Sequence, residues 1–173
     1  MMKTKSFILI VMSLAAVGAA LTAGANQPGA PVRVTYVAPG TFTDVSDESM
    51  ASDNYREHVL AEFKTEIESL ARDFITGGRR LEVIVTDIDL AGGFEPWRGP
   101  GFNHIRIMRD VYPPYLKLEF RLLGPDGKVV SEGKRELRRS GYLMTTALPT
   151  YDPLRYDKEN IRAWMRREFG PPS

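Results

Sequence analysis

Apolar residues recur along this chain with two different periods, and the change from one to the other outlines the elements. Val59, Phe63, Ile67, Leu70 and Phe74 are three or four positions apart, with Glu62, Lys64, Glu66 and Glu68 mostly off their line. A repeat near 3.6 gathers such residues on one stripe, which predicts a helix from about residue 54 to 75. Asn54 with Glu57, or Asp53, offers a cap at its start, and Gly77-Gly78 offers the left-handed residue that commonly follows a last turn. Ile161, Trp164, Met165 and Phe169 repeat the pattern and predict a second helix over about 157–169.

Elsewhere the period is two. "VRVTYV" (32–37) alternates Val32, Val34 and Tyr36 with Arg33 and Thr35, and "YLKLEFRLL" (115–123) alternates Leu116, Leu118, Phe120 and Leu122 with Lys117, Glu119 and Arg121. Both read as strands with one wet face. "RLEVIVTDIDL" (80–90) is apolar on both sides, Leu81, Val83 and Val85 on one and Ile84, Ile88 and Leu90 on the other. Such a strand is expected at the centre of a sheet, covered on both faces. "HIRIMRD" (104–110) reads as a further strand, and the "GPDGK" turn leads into "KVVSEGKREL" (128–137). The order β-α-β-β-β-α describes a single α+β domain: a mixed sheet of about five strands, its first two joined by a parallel crossover, packed by two helices.

The start of the chain changes the picture of where this domain works. Lys3 and Lys5 precede an apolar run that begins at Phe7 and closes on Ala23-Gly24-Ala25, the order of a cleavable signal peptide. The run is short and diluted by Gly and Ala for a membrane span of about 20 residues. Residues 1–25 are therefore expected to be removed near Ala25/Asn26. That leaves residues 26–173 as a periplasmic domain with no stable membrane anchor. Without Lys3 and Lys5 the 23 basic residues fall to 21 against 22 acids, a near-neutral balance. Nucleic-acid binding usually relies on a positive field that this chain lacks. "GKRELRR" (133–139) and "RAWMRR" (162–167) are expected to be solvated faces. With no cysteine, neither a disulfide nor a lipid-bearing N-terminal Cys exists, so packing must hold the fold.

Candidate chemistry concentrates in "TDIDLAGGFEPWRG" (86–99). Regular alternation places Asp87 and Asp89 on the face of Leu81, Val83 and Val85, which turns acidic as the strand ends. At a strand's carboxyl end two acids can rim a crevice. With Glu95 or His104 near, they are candidates for a divalent metal or ligand site, or for an acid/base pair. The competing expectation is structural: acids that pair with arginine, with Arg106 and Arg109 as candidate partners, or that accept hydrogen bonds from the turn. Asp44 reads as a turn or capping acid. The Gly/Pro-rich loop after Leu90 carries Phe94, Trp97, Arg98 and Phe102. Exposed, its rings suit contact with a partner or glycan. The plainer expectation is a loop folded back to bury them. No phosphate-binding glycine motif, no nucleophile elbow and no His-rich zinc set is present, so no catalytic residue is assigned and no cofactor is required.

Four stretches carry a resemblance. "FTD" (42–44), "RLEVIVTDIDLAGGFEP" (80–96), "IRIMRDVYPPYLKLEFRL" (105–122) and "YDKENIRAWM" (156–165) make the chain similar to a bacterial family catalogued as domain of unknown function 3016. The resemblance implies a secreted protein with one globular domain, and no activity. Together with the leader it leads us to expect an exported, non-enzymatic binding or accessory domain of the cell envelope, whose partner is an envelope protein or cell-wall component. The alternative is a metal-dependent binder or hydrolase-like enzyme centred on Asp87 and Asp89.

Overall fold

The computed structural model of the protein describes residues 31–45, 53–145 and 151–170. The expected leader and cleavage site lie outside the described residues. The first strand, β1 (Val32–Tyr36), is followed by the long helix α1 (Asp53–Phe74), and then by β2 (Arg80–Asp89), which runs parallel to β1 in the register Val34 to Val83. Next come two short strands, β3 (Gly93–Phe94) and β4 (Arg106–Ile107), then β5 (Tyr115–Leu123), β6 (Val129–Arg138) and a closing helix α2 (Arg155–Phe169). The main sheet has the order β1-β2-β5-β6, with β5 antiparallel to β2 and β6 antiparallel to β5. The parallel first pair makes this a mixed sheet in an α+β fold, as the two periods predicted.

Both helices pack on the same core. Val59, Phe63, Ile67 and Ala71 of α1 are buried with Ile161, Trp164 and Met165 of α2, against Leu81, Val83, Val85, Leu116, Leu118 and Phe120 of the sheet. Helix α1 ends before Gly77 and Gly78, which take φ of +67° and +74°. At Gly77 a side chain would be strained, so glycine serves the turn itself. The helices are joined by Lys158, 2.6 Å from Glu62, and by Arg162, 2.8 Å from Glu66. Asn160, buried in α2, donates to Leu137 O at 2.9 Å and fastens that helix to β6. Among the described residues no helix is long and apolar enough to cross a membrane.

The other face of the sheet is open and charged. Arg121 lies opposite Glu132, Glu119 opposite Lys134, and Lys117 opposite Glu136, cross-strand pairs that keep this face in water. This corrects the expectation that β2 is covered on both sides, because Ile84 is 38% exposed while Ile88 is fully buried. The cause is a bulge. Val85 pairs with Leu118 and Asp87 with the next residue back, Lys117, so Thr86 is an extra residue in β2. One inserted residue exchanges the two sides of a strand. Ile88 and Leu90 consequently join Leu81, Val83 and Val85 in the core. Asp87 and Asp89 take the register of the open-face residues Lys117 and Tyr115, the reverse of the expected placement. The strand expected over 104–110 is reduced to Arg106–Ile107, because its only ladder partner is the two-residue β3.

Candidate functional site

The segment 42–45 runs back along the end of β2 and is stitched to it residue by residue. Asp44 N donates to Ile88 O at 3.1 Å, and Asp44 Oδ2 accepts from Leu90 N at 2.9 Å. Thr43 gives both its N–H (2.8 Å) and its hydroxyl (3.0 Å) to the Asp87 carboxylate, which also accepts from Ile88 N at 2.9 Å. Asp87 thus holds the bulge and the returning segment together. Its observed partners are two backbone N–H groups and a hydroxyl, the hydrogen-bonded one of the two structural arrangements expected for it.

Arginine goes to Asp44 instead. Arg106 Nη1 lies 2.8 Å from Asp44 Oδ2 and also donates to Gly92 O at 2.9 Å, while its guanidinium stands 4.7 Å above the Phe94 ring. Around this pair sit two more acids. Asp89 shares a hydrogen bond with the Asp44 carboxyl. Burial first, then the Asp44 charge and that bond, then Asp87, push it up to about 6 against the relief offered by Arg106. Asp157, buried in the first turn of α2, accepts from Ala91 N at 3.0 Å. Burial pushes its carboxyl up to about 7, with backbone hydrogen bonds and Arg106 opposing. Two carboxyl groups that change charge near neutrality can hold or pass a proton. They were not assembled from the sequence, yet "FTD", "TDIDLAGG", "IRIMRD" and "YDKEN", four of the runs that carry the family resemblance, each contribute a group to this cluster.

After Ala91 the chain makes a small hairpin. Gly92 takes φ +83°, and a Cβ there would stand 2.8 Å from Met108 Sδ; Gly93 lies flat against the Tyr112 ring, 3.1 Å from where its Cβ would be. Gly92 is therefore unsuited to a side chain, whereas one at Gly93 would require the Tyr112 ring to give by a few tenths of an ångström. β3 and β4 form the short ladder, and two single turns of 3-10 helix, Pro96–Arg98 and Pro100–Phe102, shape the tip between them. Glu95 points inward and is fully buried. Its carboxylate receives Arg109 Nη1 at 2.8 Å, Arg98 Nε on the other oxygen, and the Tyr112 hydroxyl at 3.3 Å. The Arg109 hydrogen bond, helped by Arg98 against the cost of burial, holds this carboxyl below the usual range.

The rings of the loop go the other way. Trp97 is 71% exposed, and Phe94, Phe102 and Ile105 are exposed as well. This corrects the plainer expectation of a loop that buries its aromatics: the tip is too short to wrap them, and its interior is taken by Glu95 and the arginines. Of the residues proposed as one ligand or metal set, Asp87 and Asp89 lie at the end of β2, Glu95 is engaged inside the hairpin, and His104 is an exposed residue of the tip. Of the two candidate ion-pair arginines, Arg106 takes Asp44 and Arg109 takes Glu95. Among the described residues no three Asp, Glu or His groups come together in a way that could hold a metal ion.

Comparison with known proteins adds a family. A family model described as "Protein of unknown function (DUF3016)" matches residues 30–167, a span that includes the returning segment, the bulged strand, the hairpin and nearly all of α2. No curated protein and no solved structure matches the chain. With the match running through every element that builds the acid cluster and the aromatic tip, the chain belongs to the DUF3016 family.

Proposed function

We propose that this protein is an exported binding or accessory domain of the cell envelope, periplasmic after loss of its leader, and that it makes contact through the tip of the β3–β4 hairpin rather than by catalysis. The observation that carries this reading is the tip itself, which exposes Trp97, Phe94 and Phe102 on a loop fixed from inside by Glu95 with Arg98 and Arg109. Rigid rings supply contact area at little entropic cost, and a buried charge network keeps their frame from collapsing before contact. The charged leader with its small-residue end supports export, and no nucleophile or phosphate motif competes for the assignment.

Crosslinked capture from a periplasmic extract tests this reading. The wild-type protein is expected to retain a specific envelope component that the Trp97→Ala, Phe94→Ala double variant loses. Equal capture by the two proteins, or capture of nothing from the periplasmic extract and the membrane fraction alike, would overturn it.

A further inference from the structure

Resting on the reading of this tip as the contact surface, we infer that it enters the headgroup layer of an anionic phospholipid bilayer, with Trp97, Phe102 and Ile105 as the inserted side chains. The loop is inverted relative to one built for water. Pro96, Trp97, Pro100, Phe102 and Ile105 are exposed, whereas the only acid of the tip, Glu95, is buried. The rest of the water-facing surface described above, the open sheet face, shows the ordinary arrangement of paired charges.

Part of the backbone of the tip is also paired internally. Pro96 and Pro100 have no N–H to satisfy. The amides of Arg98, Gly99, Phe102, Asn103 and Ile105 all donate to carbonyls within the tip, at 3.0 to 3.4 Å. A backbone that leaves water must be paired internally, because each orphaned group costs free energy.

Charge selects the surface. Arg98 and Arg109 share the single carboxylate of Glu95, and their side chains stay 43% and 51% exposed. An excess of guanidinium therefore sits at the base of the aromatic tip, where lipid phosphates would lie if the rings were inserted. Guanidinium pairs with phosphate in fork geometry, and anionic leaflets attract such groups. Indole rings favour the interface between headgroups and chains. Shape agrees: at Gly99 and Gly101 nothing stands within 4 Å of an added Cβ, so at these two positions the tip faces open space.

Cosedimentation of the full chain with vesicles tests this, using phosphatidylglycerol mixed into phosphatidylcholine against phosphatidylcholine alone. The wild-type protein is expected to sediment with the anionic vesicles, less so as salt rises, and its tryptophan emission to shift to shorter wavelength. Trp164 is fully buried, so that shift belongs to Trp97. Trp97→Ala, an exposed substitution that spares the fold, is expected to weaken partitioning roughly tenfold or more and to abolish the shift. Unchanged circular dichroism checks the variant. Absence of sedimentation, or sedimentation that Trp97→Ala leaves intact, overturns the lipid assignment. If vesicles fail while crosslinked capture still recovers a Trp97-dependent protein partner, the lipid assignment falls and the wider reading stands; if both fail, both fall.

Discussion

Arg106 and Asp44, 62 positions apart, form the ion pair that joins the returning segment to the hairpin, and both side chains are mostly withdrawn from water, at 17% and 21% exposure. Truncating one partner leaves the other desolvated and unmatched. Arg106→Ala is expected to cost about 2–4 kcal/mol in denaturant melts. Arg106→Lys should recover only part of that, because an ammonium cannot also reach the Gly92 carbonyl in the same fork and stack on Phe94. Wild-type stability in Arg106→Ala would contradict the role assigned to the pair.

Asp87 should matter less than Arg106. Its three donors are Thr43 N, the Thr43 hydroxyl and Ile88 N, and the two from Thr43 sit at exposed positions where water can replace the carboxylate. Asp87→Ala is expected to cost about 1–2 kcal/mol, and Asp87→Asn, which keeps an accepting oxygen, less. Equilibrium unfolding of the two variants side by side measures the difference.

Proton linkage distinguishes Asp89. Its carboxyl titrates near 3.8 when unfolded and at about 6 when folded, so the native state binds the proton more tightly. Its contribution to stability is fully present below the unfolded value and is lost as pH rises through 6; Asp157 behaves likewise with loss through 7. Asp89→Asn removes the repulsion from Asp44 and Asp87 that develops on ionisation. The variant is expected to be more stable than wild type by on the order of 1 kcal/mol at pH 8, with the advantage gone at pH 5. Chemical melts at the two pH values read this, and a pH-independent difference would refute it.

Glu95 carries the opposite sign. A carboxyl held below its ordinary range stabilises the fold above the unfolded value, and that stabilisation is lost as pH falls through the folded value. Glu95→Gln is expected to loosen the hairpin first. Limited proteolysis should cut within residues 96–105 several times faster than in wild type while the core melts nearly as before. Identical cleavage rates would show that the arginines do not frame the tip.

Trp164 presents a different case, a fully buried indole whose Nε1 has no hydrogen-bond acceptor among the described residues. Trp164→Phe vacates part of the core but also removes an unsatisfied donor. The two effects oppose, and the net cost is expected near 1–2 kcal/mol, against about 3–5 for Trp164→Ala. Thermal unfolding of both variants gives the ratio.

The helices, β1 and β5 were legible because their apolar residues recur at a regular spacing and one face of each meets the core, and β6 because a tight-turn signal precedes it. β2 misled for a definable reason. Leu81, Val83 and Val85 occupy odd positions and Ile88 and Leu90 even ones, which reads as a strand apolar on both sides unless the change of parity is taken as the mark of an inserted residue. The aromatic loop misled because hydrophobicity alone predicts burial, whereas the inside of a short hairpin holds one cluster, and Glu95 with its arginines already fills it. The acid cluster needed tertiary assembly: nothing in the spacing of Asp44, Asp89, Arg106 and Asp157 connects them, and only the shared family runs hinted that they belong together.

The bulge at Thr86 is the place where this strand can absorb a change in its count. Exchanging Thr86 for Ser or Val changes only an exposed hydroxyl bond to Lys117 O. Deleting it would place Asp87 directly after Val85 in strict alternation, so Asp87 and Asp89 would keep the open face, Ile88 and Leu90 would keep the core, and only the local bend and twist of the bulge would be lost. A one-residue gap at this position is therefore as small a change to the two faces as a substitution, because the extra residue carries no partner of its own in the ladder.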